Sequence, residues 1–126
     1  MIKTGIDLVE ISRIQKSMEN PRFLTRVFSE EELEYFQQKG AHKIESAAAN
    51  FAAKEAFSKA LGTGVRGFSL REVSVLRDKL GAPFLSLSKK AAQLAQGYEI
   101  SLSLTHTTHY ASAVVILTKN QNERKE

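Results

Sequence analysis

Two charged residues in the middle of the chain have a spacing that suits chemistry. Glu55 and Lys59 are four residues apart in the run Phe-Ala-Ala-Lys-Glu-Ala-Phe-Ser-Lys-Ala at residues 51–60. Because this run is rich in strong helix formers, the two side chains stand on one helix face, a turn apart. Alanines at every fourth position form a smooth stripe beside them, where another element or a ligand can approach the backbone. The pair could hold a metal and a phosphate, or it could equally be an ordinary surface ion pair.

A third charged group, Asp7, lies in an unusual position for a carboxylate. The alternation of residues 2–9 predicts a first strand, in which Asp7 shares one face with Gly5 and Val9. Asp is a poor strand residue, and its apolar neighbours favour partial burial, so its carboxylate needs a hydrogen-bond donor or a metal. Alternatively, Asp7 caps the helix that follows the strand.

The remaining patterns define the elements that must position these residues. The predicted helices cover residues 10–18, 29–38, 44–61 and 88–96, and residues 22–27 form a further short segment with apolar side chains. The predicted strands cover residues 2–9, 70–76, 83–87, 99–105 and 110–117. Ser29 and Glu32 form a capping box, Ser88 caps the last helix, and Gly62 ends the long one. This order predicts an α+β fold, with a mostly antiparallel sheet packed against one long helix and several short helices.

Size and composition limit the classes of protein that need to be considered. The chain has 126 residues, of which 42% are hydrophobic and 25% charged, so we expect one domain over residues 1–118 and a polar tail over 119–126. It contains no Cys, which excludes disulfides and thiolate metal sites. No signal-peptide pattern or bilayer-length apolar run occurs, so we expect a cytoplasmic protein without a membrane partner.

The charge balance favours an acidic partner. The net charge is +4, which suits nucleic acid, an acidic protein or a polyphosphate ligand. Basic and aromatic residues are not interleaved as in RNA-binding sheet modules, so we expect no nucleic-acid partner. Two hypotheses without catalysis stay open: an adaptor for acidic proteins, and a small RNA-binding module with strongly salt-dependent affinity. Neither of them needs Asp7, Glu55 or Lys59.

A constellation forms if the long helix packs beside the first strand, because Asp7 and Glu55 can then meet. Two carboxylates without Cys or clustered His suit a hard cation such as Mg²⁺, which usually keeps waters and substrate phosphate oxygens. Lys59 would face the same phosphate, and such a site suits phosphoryl-type transfer. His106, in the polar turn before the last strand, is either part of such a site or solvated surface.

Four segments together resemble one family. They are residues 5–14 with Gly-Ile-Asp, residues 51–60, the following Gly62-Thr-Gly64, and residues 102–107 with Thr-His-Thr. They are similar to the holo-(acyl-carrier-protein) synthases, the short bacterial 4′-phosphopantetheinyl transferases. The resemblance covers nearly the whole chain, in order and at family length.

The resemblance implies a reaction and roles for these residues. Coenzyme A donates its phosphopantetheine arm to a serine of apo-acyl carrier protein for fatty acid biosynthesis, and adenosine 3′,5′-bisphosphate leaves. Asp7 and Glu55 match the Mg²⁺ ligands, and Glu55, directly or through a water, is the candidate base for the serine. Lys59 would stabilise charge on the phosphates or protonate the leaving group. Family members are homotrimers with active sites between subunits, so His106, at the coenzyme A end of the cleft, is expected to come from a neighbouring subunit.

The resemblance also implies binding residues and one departure. Residues expected to bind coenzyme A are Lys59, Gly64, Pro83, Thr105 and His106, with Pro83 at the adenine pocket. Residues expected to contact the carrier are Arg13, which matches a family position, and the rim residues Phe23 and Arg26. Many relatives have an arginine that helps hold the coenzyme A 3′-phosphate where this chain has Asn50. We hypothesise that His42 or Lys43 compensates.

Overall fold

One strand, four helices, two strands, a fifth helix and two final strands follow one another in the structure, a computed structural model that describes residues 1–62, 64 and 66–120. The strands are β1 (Ile2–Glu10), β2 (Val73–Arg77), β3 (Pro83–Leu87), β4 (Tyr98–His106) and β5 (Tyr110–Lys119). The helices are α1 (Ile11–Ser17), α2 (Pro21–Val27), α3 (Glu30–Lys39), α4 (Lys43–Leu61) and α5 (Lys89–Leu94), with short 3₁₀ turns at Gly40–His42 and Leu70–Glu72. The predicted α+β class is confirmed.

The strands form two antiparallel sheets. The larger has the order β1-β5-β4, and β2 pairs with β3 in the smaller one. In the larger sheet Asp7 lies opposite Ala113, and Leu104 of β4 pairs with the same alanine from the other side. The strand that carries Asp7 is therefore at an edge, and β5 lies between it and β4.

Helix α4 packs across β1 and β5 and fills the centre of the molecule. Eleven of its 19 residues are buried, most of them alanines. Such small side chains allow the close approach of the strand that the sequence indicated. Gly62 ends the helix in the left-handed conformation, with φ of 82°, as predicted. None of the helices within the described residues is long and apolar enough to span a bilayer.

A buried ion pair joins α4 to α3 and to the start of β2. Nζ of Lys54 lies 2.6 Å from Oε1 of Glu32, and both side chains are fully buried. The ammonium also donates to the carbonyl oxygens of Leu70 and Val73, while Nδ2 of Asn50 donates to Oε2 of Glu32 at 3.0 Å. Burial lowers the pKa of Lys54, and the charge of Glu32 opposes that shift. The network fixes α4 against its neighbours.

The face of the larger sheet that points away from α4 carries a group of apolar side chains, uncovered in the single chain, with Thr4, Ser103 and Ser112 beside them. Ile6 is 64% exposed and Leu8 is 65% exposed, and Ile2 extends the same row. Val114 and Ile116 of β5 lie beside them and are half-buried. We call these five apolar residues the outer sheet face. Contiguous apolar surface of this kind commonly marks an interaction site.

Two local predictions between α4 and α5 were wrong. The strand expected from residue 70 begins later, because Ser69 and Glu72 form a capping box around the 3₁₀ turn Leu70–Glu72. Ser88 makes no side-chain cap at α5. Instead, the amide of Ala91 donates to Oε1 of Glu72 at 3.0 Å. The cap thus comes from a residue distant in sequence.

Strand β5 is longer than its apolar pattern indicated. It continues to Lys119, so the expected boundary between residues 118 and 119 falls inside the strand. Residues 121–126 of the expected tail lie outside the described residues.

Candidate active site

Side chains of α4 and β5 make two hydrogen bonds to Asp7 and one to the residue before it. Nζ of Lys59 donates to Oδ1 of Asp7 and to the carbonyl oxygen of Ile6, each at 3.0 Å. Oγ of Ser112 donates to the carbonyl oxygen of Asp7 at 2.8 Å. The Asp7 side chain is only 15% exposed, as its apolar neighbours predicted. The helix-cap alternative is wrong, because the residue that precedes α1 is Glu10 and no side chain caps that end.

Glu55 lies one turn before Lys59 on α4 and lines the same cavity as Asp7. Burial raises the pKa of the Glu55 carboxyl, the charge of Asp7 raises it further, and Lys59 lowers it. Within the described residues, the ion pair of Lys59 is with Asp7 and not with Glu55. Asp7 and Glu55 thus lie on one cavity, and no ion pair between Glu55 and Lys59 forms within the described residues.

The cavity that Asp7 and Glu55 share, here the Asp7 cavity, has a volume of about 470 Å³. Arg13 and Phe23, two of the expected carrier contacts, line it as well. The Phe23 ring packs with its centroid 6.0 Å from that of Phe51, which gives one wall an apolar surface. The third expected contact, Arg26, is exposed on α2 and is not among the lining residues.

His106 lines a different cavity, here the His106 cavity, of about 720 Å³. It ends β4, so it belongs to a strand and not to the turn predicted for it. The Tyr35 ring lies in this wall, with Nζ of Lys39 at 5.4 Å and the Arg77 guanidinium at 5.8 Å from its centroid. With His42 also in the lining, the cavity is rich in cationic and titratable nitrogen groups, which suits an anionic ligand.

Within one chain, the expected site residues therefore do not share a single cavity. Lys59 lines a third cavity, of about 460 Å³, which Asp7 also borders. Thr105 lines the His106 cavity, apart from Asp7 and Glu55. Pro83 begins β3 and is half-buried, two residues after Gly81, which lines the His106 cavity. Gly64 is exposed and has a left-handed φ of 62°.

Asn50 does not face either cavity. Its side chain is 1% exposed and its amide nitrogen is bound to Glu32, while its Oδ1 has no hydrogen-bond partner within the described residues. Of the two residues suggested as compensation, His42 lines the His106 cavity and Lys43 does not.

Sequence reasoning missed several residues of these cavities. Tyr35 and Lys39 are four apart on α3, a spacing that was visible but carried no sign of function. Arg77 reaches the same wall from β2 and donates to the carbonyl oxygen of Gly81. The bond from Ser112 to Asp7 depends on the β1–β5 register, which the sequence alone does not supply.

Comparison with known proteins agrees with this architecture. Residues 3–115 match the family model of the 4′-phosphopantetheinyl transferase superfamily, and the chain belongs to that family. A holo-(acyl-carrier-protein) synthase of Treponema denticola is 48% identical over 116 residues, 90% of this chain and 94% of that protein.

Solved structures are similar over the same length. The holo-(acyl-carrier-protein) synthase of Neisseria meningitidis has a TM-score of 0.86 and 35% identity, covering 94% of this chain and 100% of that chain. The Bacillus anthracis enzyme, in complex with CoA (3′,5′-ADP), has a TM-score of 0.79 and 35% identity, covering 91% and 94%. Membership of a transferase family favours catalysis over the adaptor and RNA-binding hypotheses.

Proposed function

We propose that this chain transfers the 4′-phosphopantetheine arm of coenzyme A to a serine of apo-acyl carrier protein. The observation that carries the proposal is the position of Asp7, which lines one cavity with Glu55 and lies 3.0 Å from Nζ of Lys59, two residues of α4 that are distant from it in sequence. Relatives named for this reaction and a homologue bound to CoA (3′,5′-ADP) support it. The product pair is holo-acyl carrier protein and adenosine 3′,5′-bisphosphate.

The donor set at Asp7 and Glu55 fits Mg²⁺. Two carboxylates provide oxygen ligands and leave positions for waters and phosphate oxygens, as this cation prefers. Within the described residues, no group of three or more His, Cys, Asp or Glu side chains converges. The charge of Asp7 raises the pKa of Glu55, and that repulsion is what a bound cation would relieve. A bound Mg²⁺ would neutralise part of the negative charge on the diphosphate of the donor.

The protein's own groups supply the rest of the reaction. The serine oxygen forms the new bond to phosphorus, the bond to adenosine 3′,5′-bisphosphate breaks, and Glu55 receives the serine proton, directly or through a water. Lys59 presents its ammonium to the phosphates, and it stabilises the charge that develops on the leaving group or donates a proton to it.

The carrier protein docks beside the Asp7 cavity. Arg13 and Phe23 line this cavity together with Asp7, so an acidic carrier that pairs with Arg13 brings its serine towards the carboxylates. Arg26 lies further out and contacts the rim. The net charge of +4 favours encounter with an acidic partner.

The working form is a homotrimer in which neighbouring subunits complete each site. Two observations support this: His106 and Thr105 line a cavity separate from that of Asp7, and the outer sheet face is uncovered in the single chain. Association through this face would bury Ile6 and Leu8 and bring the His106 cavity of one copy towards the Asp7 cavity of the next. The coenzyme A nucleotide would then bind at the His106 cavity, with Pro83 and Gly64 as further contacts.

The cellular setting follows from the substrates. Coenzyme A and acyl carrier protein meet in the cytoplasm, and the product serves fatty acid biosynthesis. Neither nucleic acid nor a membrane is needed as a partner.

The proposal is tested by a substitution that removes the carboxylate base at Glu55 and keeps the size and shape of the side chain. Glu55→Gln should leave the circular dichroism spectrum intact and lower transfer to apo-acyl carrier protein by about 10²-fold or more, since a base and a metal contact are lost together. Glu34→Gln, an exposed position on α3, is the matched control and should transfer normally. Normal turnover by Glu55→Gln would refute the assignment of this site.

A further inference from the structure

The carboxylate of Asp7 already has a cation beside it in this structure. Nζ of Lys59 lies 3.0 Å from Oδ1 of Asp7, on the side of the carboxylate where α4 and β1 meet. The same ammonium donates to the carbonyl oxygen of Ile6, also at 3.0 Å. Lys59 therefore neutralises Asp7 in this structure, whereas in the proposed reaction it contacts the phosphates of the donor.

The ion pair between Lys59 and Asp7 has good geometry, but little else holds the Lys59 side chain in place. The Lys59 side chain is 57% exposed, whereas that of Asp7 is 15% exposed and its main chain is tied to Ser112. Exposed ion pairs of this kind contribute little to stability, so thermal motion and competing anions can separate them. Asp7 is thus the fixed partner and Lys59 the movable one.

The charges explain why both cations cannot hold Asp7 equally well. Asp7, Glu55 and Lys59 together carry one net negative charge. A divalent cation at the two carboxylates would meet the ammonium at close range, and like charges at such separations repel unless a further anion lies between them. The diphosphate of the donor is such an anion.

We propose that Lys59 acts as a resident counter-ion of Asp7 that makes binding of a divalent cation conditional on the diphosphate of the donor. In the free protein Lys59 neutralises Asp7 and weakens cation binding. With the donor present, Lys59 moves to the phosphates and releases Oδ1 of Asp7. This inference rests on the proposed function, and it predicts that cation and coenzyme A bind with positive coupling, each raising the affinity for the other by the same factor.

The experiment measures Mn²⁺ binding directly, by the loss of the free-ion electron paramagnetic resonance signal, without any turnover. The proteins are the wild-type full chain, Lys59→Met, which keeps the apolar stem, and Lys90→Met. Lys90 is exposed on α5, so this control makes the same change in net charge at a surface site that lines neither cavity. Each is titrated with Mn²⁺ alone and with Mn²⁺ plus coenzyme A.

The expected result is a gain in Mn²⁺ affinity for Lys59→Met that the control variants do not show. Without coenzyme A, Lys59→Met should bind Mn²⁺ about tenfold more tightly than the wild type, since one screened repulsion and one competing ion pair are removed. Lys90→Met should stay within roughly twofold of the wild type, because distant exposed charges are screened by salt. Coenzyme A should raise the Mn²⁺ affinity of the wild type and raise that of Lys59→Met less. Lys59→Arg, which keeps the positive charge, should bind Mn²⁺ as weakly as the wild type.

Two results would overturn the inference. One is Mn²⁺ affinity of Lys59→Met equal to or weaker than that of the wild type in the absence of coenzyme A. The other is no Mn²⁺ binding by any of the proteins, which would also remove the metal assignment, while the carrier-modification assay reports separately on whether transfer occurs. If Lys59→Met unfolds in a circular dichroism control, Lys59→Gln replaces it with the same expected gain.

Discussion

Gly5 of β1 lies directly against the backbone of Ala56 in α4. A Cβ built on Gly5 would come 1.9 Å from the carbonyl oxygen of Ala56, far inside any possible contact. The other six glycines of the chain have positive φ values, whereas Gly5 does not, so this position requires space and not backbone freedom. The contact sets how closely β1 approaches α4, and hence how closely Asp7 approaches Glu55.

Gly5→Ala should therefore destabilise the protein and damage the site together. Overpacking against immovable backbone costs about 3 kcal/mol or more, and the strand must shift away from α4. Urea denaturation gives the loss of stability, and carrier modification gives the loss of activity. Gly62→Ala is the control, because a Cβ there meets nothing within 4 Å and its left-handed conformation costs only about 1 kcal/mol for alanine. Equal costs for the two variants would contradict the close-contact argument.

Glu55→Gln should make the metal-free protein slightly more stable above neutral pH. The pKa of Glu55 is raised by burial and then by Asp7, so the favourable contribution of this group is complete below its unfolded value of 4.5 and is lost as the pH rises through its folded value. With discount for solvent screening, we expect a Tm about 1–3 °C above that of the wild type at pH 8 in chelator. The difference should vanish as the pH falls below 4.5.

Thermal unfolding across this pH range checks the direction. Glu34→Gln, at an exposed position, should match the wild type at every pH. A Glu55→Gln variant that is less stable than the wild type at pH 8 would show that the ionised carboxylate stabilises the fold, against this account.

The buried pair of Lys54 and Glu32 should behave as one unit. Lys54→Met leaves a buried carboxylate and Glu32→Gln leaves a buried ammonium, so each should cost about 3–5 kcal/mol. The double variant should cost less than the sum by about 1–3 kcal/mol, measured in a double-mutant cycle by urea denaturation. Glu30→Gln, which breaks only a 4.0 Å contact of a 90% exposed carboxylate to Arg71, should change stability by less than about 0.5 kcal/mol. Additive costs for Lys54 and Glu32 would mean that the pair is not coupled.

The outer sheet face should control assembly. Ile116→Glu adds a carboxylate to this face, and an unpaired charge buried between subunits costs several kcal/mol, enough to weaken association by about 100-fold or more. Light scattering during size-exclusion chromatography should show a smaller species, and transfer should fall with it. Leu80→Glu, at a 95% exposed turn position, should keep the wild-type mass. An unchanged mass for Ile116→Glu would contradict assembly through this face.

Much of the site was predictable because its signals are local. Alternation in β1 and a four-residue spacing on α4 indicated that Asp7, Glu55 and Lys59 could meet, and the alanine-rich helix indicated the close approach. The partner of Lys59 was not predictable, since the choice of Asp7 over Glu55 depends on the packing of two elements. The replacement of Ser88 by Glu72 as the cap of α5 depends in the same way on a contact between segments distant in sequence.

Local sequence patterns also could not predict that His106 and Asp7 line different cavities of one chain. The cationic wall beside His106 contains Lys39 of α3 and Arg77 of β2. No spacing in the sequence indicates that these two residues lie close together. Asn50 lay in the buried arc of α4, but its bond to Glu32 requires the neighbouring helix.

The most direct measurement is the intact mass of an apo-acyl carrier protein after incubation with this protein, coenzyme A and Mg²⁺. The carrier should gain the mass of one phosphopantetheine group, adenosine 3′,5′-bisphosphate should be released in equal amount, and EDTA should abolish both. A carrier of unchanged mass, with the protein folded and several carriers tried, would contradict the proposed transfer. A gain that persists in EDTA would contradict the role of the metal at Asp7 and Glu55.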